Sequence, residues 1–146
     1  MEKVQTTTFI TQSSAQTQLI AEEFAKKLVG GDIILLKGDL GAGKTTFVQG
    51  LANGLGIKRR IISPTFIVMR SYELQENMFY HIDLYRMTSQ QDIEGLGLLQ
   101  LFEDKHAILA IEWPEKLGNL IPKKYTEISC TWISENSRKI EIKKYE

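Results

Sequence analysis

Residues 38 to 45 read Gly-Asp-Leu-Gly-Ala-Gly-Lys-Thr, a complete G-x-x-x-x-G-K-[ST] pattern. No other stretch constrains the fold as tightly. Ile33-Ile34-Leu35-Leu36 before it is a continuous apolar run between a glycine stop and a glycine-rich loop, which predicts a buried strand. After it, Phe47, Val48, Leu51 and Leu55 lead to Gly56 at helical spacing, which predicts an amphipathic helix opening near Lys44. Strand, loop and helix in that order form a phosphate cradle. Glycine backbones reach φ > 0 and turn successive N–H groups inward. The helix N-terminus adds its positive end. Gly38, Asp39, Gly41, Ala42, Gly43 and Thr46 supply this backbone. Lys44 can bridge the β- and γ-phosphates, and the Thr45 hydroxyl is placed to ligate Mg²⁺.

The rest of the chain divides around this unit. Ser13 with Gln16 reads as a capping box, followed by Ile20, Phe24 and Leu28 flanked by Ala21 and Ala25, which predicts a helix running to Gly30-Gly31. Phe66–Leu74 and Met78–Leu84 read as a hairpin turning at Gln75-Glu76-Asn77. Ser89 to about Asp104 reads as helical, broken near Gly95–Gly97. Ala107–Ile111 is a second buried apolar run, ended by Pro114 and Gly118 in a loop or short helix. Thr126–Ile133 and Lys139–Tyr145 alternate and read as a C-terminal hairpin across Ser134–Ser137. Buried runs among helices, with hairpins beside them, predict an α/β sandwich of the P-loop NTPase type. The sheet is expected to be mixed, with helices on both faces. At 146 residues, all of it is expected to form one ATPase domain.

Composition narrows the function. Eighteen Lys and Arg balance eighteen Asp and Glu, which disfavours a chain that wraps nucleic acid by itself and still allows it to act on RNA inside a larger complex. No apolar run is long enough for a membrane span, and the N-terminus lacks a signal-peptide pattern, so the expected location is cytoplasmic. The single cysteine, Cys130, alternates with Ile128 and Trp132 and is expected in the core.

An acid that binds metal or activates water belongs at the C-terminal end of a core strand. Asp83, ending Tyr80–Asp83, and Glu112, after Ala107–Ile111, both fit. Ser63-Pro64-Thr65 enters a strand at a place where phosphate-loop proteins often keep a γ-phosphate switch; a proline-stiffened turn is the alternative. His81 is read as a structural strand residue and Lys58-Arg59-Arg60 as a solvated run. No [NT]-K-x-D motif occurs, and Asp92-Ile93-Glu94-Gly95 follows a polar stretch and not a buried strand, so ATP is expected over GTP.

Taken together, Gly38–Thr46, Ser63-Pro64-Thr65-Phe66, His81-Ile82-Asp83-Leu84-Tyr85-Arg86, Glu94 with Gly97, and Glu112-Trp113 resemble the bacterial TsaE (YjeE) family from about Asp32 to Pro114. The resemblance implies a small ATPase, weak alone, that supports formation of threonylcarbamoyladenosine in tRNA by acting on the TsaD–TsaB transferase pair. It also implies that Thr45 and Glu112 form the Mg²⁺ site, Asp83 is the second-strand acid, Thr65 the switch, and Trp113 part of the nucleotide pocket or its coupling surface. Two other readings use the same loop: a small-molecule kinase, disfavoured because no candidate lid carries an arginine cluster, and a nucleotide-dependent scaffold without turnover, disfavoured by Asp83 and Glu112.

Overall fold

The computed structural model describes residues 4–39, 41–61 and 67–146. Seven strands form one sheet: β1 (Val4–Thr11), β2 (Ile33–Lys37), β3 (Met69–Glu73), β4 (Met78–Asp83), β5 (Ala107–Glu112), β6 (Tyr125–Trp132) and β7 (Arg138–Tyr145). Their spatial order is β1-β7-β6-β2-β5-β4-β3. The four middle strands, β6, β2, β5 and β4, run parallel. β7 and β1 add antiparallel on one side and β3 on the other. The mixed α/β sandwich expected from the sequence is the fold observed.

Alternation along the central strands sorts side chains to two cores. Ile34 and Leu36 of β2, with Ile108 and Ala110 of β5, face α1 (Ser14–Ala25) and α2 (Lys44–Gly54). Ile33, Leu35, Leu109 and Ile111 face the opposite layer, made by α3 (Gln90–Glu94), α4 (Leu98–Glu103) and a 3₁₀ segment, Pro114–Leu120. β4 follows the same rule: Phe79 belongs to the first core and Ile82 to the second. Strand parity therefore places His81 and Asp83 on the α1/α2 side with Phe79, and Glu112 there with Ile108 and Ala110.

Some boundaries depart from the expectation. The α1 cap is as read, Ser13 Oγ accepting from Gln16 N–H at 3.1 Å, but the Gln16 side chain reaches back to Gln12 N–H rather than to Ser13. The helix also stops at Ala25 rather than at Gly30, and turns closed by Lys27 N–H to Phe24 and Leu28 N–H to Ala25 carry the chain onward. Of the strand expected over Phe66–Leu74, Phe66 lies outside the described residues, and from Ile67 onward β3 covers Met69–Glu73. The strand β1 went unread: Val-Gln-Thr-Thr-Thr-Phe-Ile-Thr carries no apolar run, and its partner β7 lies at the far end of the chain.

Helices α1 and α2 pack closely because small residues meet. A Cβ at Gly50 would lie 2.5 Å from Gln18 O and 2.6 Å from Ala21 Cβ; one at Gly54 would lie 2.6 Å from Ala25 Cβ. Gly50→Ala should gain about 1 kcal/mol in helix propensity. Overpacking typically costs about 1–3 kcal/mol, and here the obstacle includes backbone, so the clash wins. Urea unfolding should show a lower midpoint for Gly50→Ala; a higher one would contradict this packing.

Candidate functional site

The parallel strands aim their C-terminal ends at one edge of the sandwich. There Leu36, Glu112 and Asp83 stand in one row across β2, β5 and β4, in the register pairs Leu36 with Glu112 and Asp83 with Glu112. The glycine-rich loop begins two residues after Leu36. Gly38, Gly41 and Gly43 all have positive φ, at 145°, 81° and 106°. Glycine is obligatory at the first of these for a second reason: a Cβ there would sit 2.5 Å from Cys130 O on β6. Ala42 N–H closes a turn onto Asp39 O at 3.0 Å, Ala42 is buried, and Asp39 is exposed. Gly43 then caps α2 with no side-chain bond to the helix start. The first-turn N–H groups of α2 are thus left to whatever the loop encloses.

Lys44 is buried, and its Nζ has no hydrogen-bond partner among the described residues. It lies 3.8 Å from the centroid of the Trp113 ring. A desolvated ammonium that, among the described residues, has an aromatic face and no hydrogen-bond acceptor beside it suits an anion. Thr45 is exposed at the helix start and Thr46 is half-buried. Trp113 follows Glu112 with φ 60°, a left-handed conformation that turns the chain into Pro114 and swings its ring back over Lys44. Tyr85 packs on that ring at 4.9 Å.

The two carboxylates are held differently. Glu112, buried at the end of β5, has Oε2 2.6 Å from His81 Nε2, and His81 is itself fully buried. His81 Nδ1 has no partner among the described residues. His81 is therefore more than a packing residue: it sets the Glu112 carboxylate. Asp83, buried at the end of β4, accepts from Tyr85 N–H at 2.9 Å, and its own N–H bonds Val68 O at 2.8 Å. Val68 has φ 72°, uncommon for a β-branched residue, so the chain entering β3 is pinned in a strained form against Asp83. Thr65, read as a switch residue, lies outside the described residues.

Sequence reasoning also passed over Arg138. It stands at the start of β7, and its Nη1 donates to the carbonyls of Ser134 at 2.7 Å and Ser137 at 3.0 Å. Its Nη2 reaches Gly41 O at 3.4 Å, which braces the loop from a position 97 residues away. Cys130 is buried as expected, and burial pushes its thiol up to about 12. Trp132, grouped with it by alternation, is exposed.

Among the described residues, no three His, Cys, Asp or Glu side chains converge as a metal site. A larger cavity, about 570 Å³, lies between α1 and β1–β7 around Phe9, Phe24 and Ile142, and contains none of these residues. No helix among the described residues is long and apolar enough to cross a membrane.

Comparison with known proteins agrees with this architecture. The family model "Threonylcarbamoyl adenosine biosynthesis protein TsaE" matches residues 11–140. Proteins named tRNA threonylcarbamoyladenosine biosynthesis protein TsaE are similar in several bacteria. The one from a Nostoc species is 43% identical over 118 residues, 79% of this chain and 72% of its own. The one from Aquifex aeolicus is 38% identical over 137 residues, covering 91% and 92%. The crystal structure of YdiB from Bacillus subtilis superposes with a TM-score of 0.81 at 30% identity, covering 97% of this chain and 87% of that one. A family match across nearly the whole chain, relatives at this identity and a shared fold place the chain in the TsaE family.

Proposed function

We propose that this protein is a Mg²⁺-dependent ATPase that supports threonylcarbamoyl transfer to adenosine in tRNA by acting on the TsaD–TsaB pair. The observation that carries the ATPase reading is the buried Lys44 ammonium, without a hydrogen-bond partner among the described residues, beside a loop whose glycines take positive φ. The tRNA role rests on the family and on the names of its relatives.

The residues present suit a nucleotide triphosphate with its metal. Loop N–H groups from Gly41 to Thr46 and the Lys44 ammonium neutralise phosphate charge. Thr45, with Glu112 or Asp83, would hold Mg²⁺. When bound, the ion screens the charge that develops on the phosphates. Glu112, oriented by His81 and fixed at the end of a buried strand, aligns the attacking water or the metal's water shell. Trp113 covers Lys44 and keeps bulk water from it, so that charge interactions there are stronger than in solvent. Thr65 is the proposed γ-phosphate switch.

Hydrolysis by the chain alone should be slow. An arginine stabilising the transferring phosphate is worth a factor of about 10³–10⁵. Arg138 is near the loop, but Nη1 of its guanidinium donates to the carbonyls of Ser134 and Ser137 and Nη2 reaches Gly41 O, contacts that hold it against the β6–β7 turn and the loop backbone. Partners are therefore expected to raise the rate. Reconstitution tests the whole reading: TsaD, TsaB, tRNA, ATP and a threonylcarbamoyl donor, with and without this chain. Multiple rounds of modification that depend on this chain and on Mg-ATP are expected. Equal modification without it, or turnover by the chain alone as fast as in the mixture, contradicts the proposal.

A further inference from the structure

Among the described residues, the two edges of the sheet are built differently. β3, on one side, is five residues long and carries Arg70 and Glu73. Short length and charge are common means by which an edge strand is kept from pairing with other chains. β1, on the other side, has neither. Its eight residues, Val-Gln-Thr-Thr-Thr-Phe-Ile-Thr, include no charge, proline or glycine, and six of them are exposed. Its register with β7 is unbroken from Val4 opposite Tyr145 to Thr11 opposite Arg138, so no bulge bends it away. One side of β1 bonds to β7, and the other presents a row of backbone N–H and C=O groups to solvent. We propose that β1 pairs antiparallel with β1 of a second copy of this chain, about a two-fold axis at Thr7, and joins two seven-stranded sheets into one.

Register is the first argument. In an antiparallel ladder each opposed pair exchanges both of its N–H···O bonds or neither, and residues bonding to one side of a strand alternate with those bonding to the other. Two copies of one strand therefore pair only residues of like parity. An axis at Thr7 meets this condition and engages every residue from Val4 to Ile10. Val4 faces Ile10 of the second copy, Gln5 faces Phe9, Thr6 faces Thr8, and Thr7 faces itself. Val4 and Ile10 are 45% and 53% exposed in the single chain, so this register covers with each other the two apolar side chains that β1 leaves in water. The Thr–Thr pairs between them add to the stability of a sheet. An axis at Thr8 leaves Val4 uncovered and draws in Thr11, which is buried with its hydroxyl 2.8 Å from that of Thr17.

Charge and shape are the second. No like charges meet across the axis, and the formal net charge is zero at pH 7, so two copies approach without net repulsion. On the opposite face of β1, Gln5, Thr7 and Phe9 line the cavity of about 570 Å³ against α1. Phe9 of the second copy, set opposite Gln5, lies on that same side of the sheet, toward which the exposed Leu19 of α1 also turns as part of the lining. A single shared ladder belongs with the small, transient interfaces of under about 1,200 Å², so the dimer is expected at high protein concentration and a covalent trap suits it.

The test uses the full chain. Residues directly opposite in an antiparallel pair have Cα atoms about 4.5–5.5 Å apart, within the span a disulfide bridges. Thr7→Cys should therefore crosslink to itself under mild oxidation. Thr8→Cys, whose two copies lie diagonally at about 7–8 Å, and Ser71→Cys on the β3 edge should stay monomeric. Cys130 does not compete, because it is buried and burial pushes its thiol up to about 12. Sedimentation of wild type should show a monomer–dimer equilibrium, weakened about tenfold or more in Thr7→Lys, which sets two like charges opposite each other at the axis. Thermal unfolding checks that these exposed substitutions leave the monomer folded, and the two Thr7 variants give independent readings. A wild type that stays monomeric at every concentration, a dimer unaffected by Thr7→Lys, or equal crosslinking at all three cysteine positions overturns the proposal. An edge reserved for a strand of another protein gives the first of these results.

Discussion

Lys44→Ala should weaken ATP binding by about 1.5–3 kcal/mol, roughly 10- to 150-fold, without lowering the stability of the nucleotide-free protein. The two halves of this expectation come from the same atom. In the free protein the Lys44 Nζ is buried and makes no hydrogen bond with the described residues, only contact with the Trp113 ring. That contact is worth about 0.5–2 kcal/mol, while the desolvation of an ion costs several. Loss of the lysine stem from beneath Trp113 offsets part of the relief. The net effect on unliganded stability is therefore near zero or favourable. With ATP present, the charge-assisted contact to phosphate is lost outright. Thermal unfolding with and without Mg-ATP should show an unchanged or higher midpoint for the free variant and little nucleotide-dependent rise. A free variant that melts well below wild type would mean that Lys44 holds the fold and is not a ligand group.

The second large effect is at Glu112, where the choice of substitution decides what is learned. Glu112→Ala removes the partner of His81 Nε2 and leaves both imidazole nitrogens buried and unpaired, since Nδ1 already lacks a partner among the described residues. Leaving a buried polar group without its partner in this way costs about 1–3 kcal/mol, so the alanine variant confuses catalysis with folding. Glu112→Gln keeps the volume and can still bond His81, but it loses the negative charge. Its turnover with partners should fall by about 10²–10⁴, with ATP affinity little changed. His81→Ala, which frees the Glu112 carboxylate to rotate, should lower turnover more than affinity and also lower stability. Normal hydrolysis in Glu112→Gln would take this residue out of the site and leave Asp83 as the acid.

Those groups were unequally visible in the sequence. The loop, its strand and its helix were legible because G-x-x-x-x-G-K-[ST] and the flanking apolar periodicity are local signals. Asp83 and Glu112 were legible as strand-end acids for the same reason. That they sit side by side depends on the parallel register of β4 and β5, which no local pattern encodes. The His81–Glu112 contact spans 31 residues and follows from that register. Arg138 and Gly41 are 97 residues apart, and the arginine opens β7 just after a turn that carries no motif of its own. β1 was missed because threonine-rich alternation is a weak signal until β7 supplies its partner. Gly50 and Gly54 carried no cue either: a glycine inside a helix looks like a defect until a second helix is found pressing on it.

The central claim is that the loop around Lys44 holds ATP with Mg²⁺, and calorimetric titration of the purified chain tests it most directly. The account predicts saturable binding of one Mg-ATP per chain, tighter than Mg-GTP and strongly weakened in Lys44→Ala. No binding of ATP, binding of GTP as tight or tighter, or unchanged affinity in Lys44→Ala would contradict it.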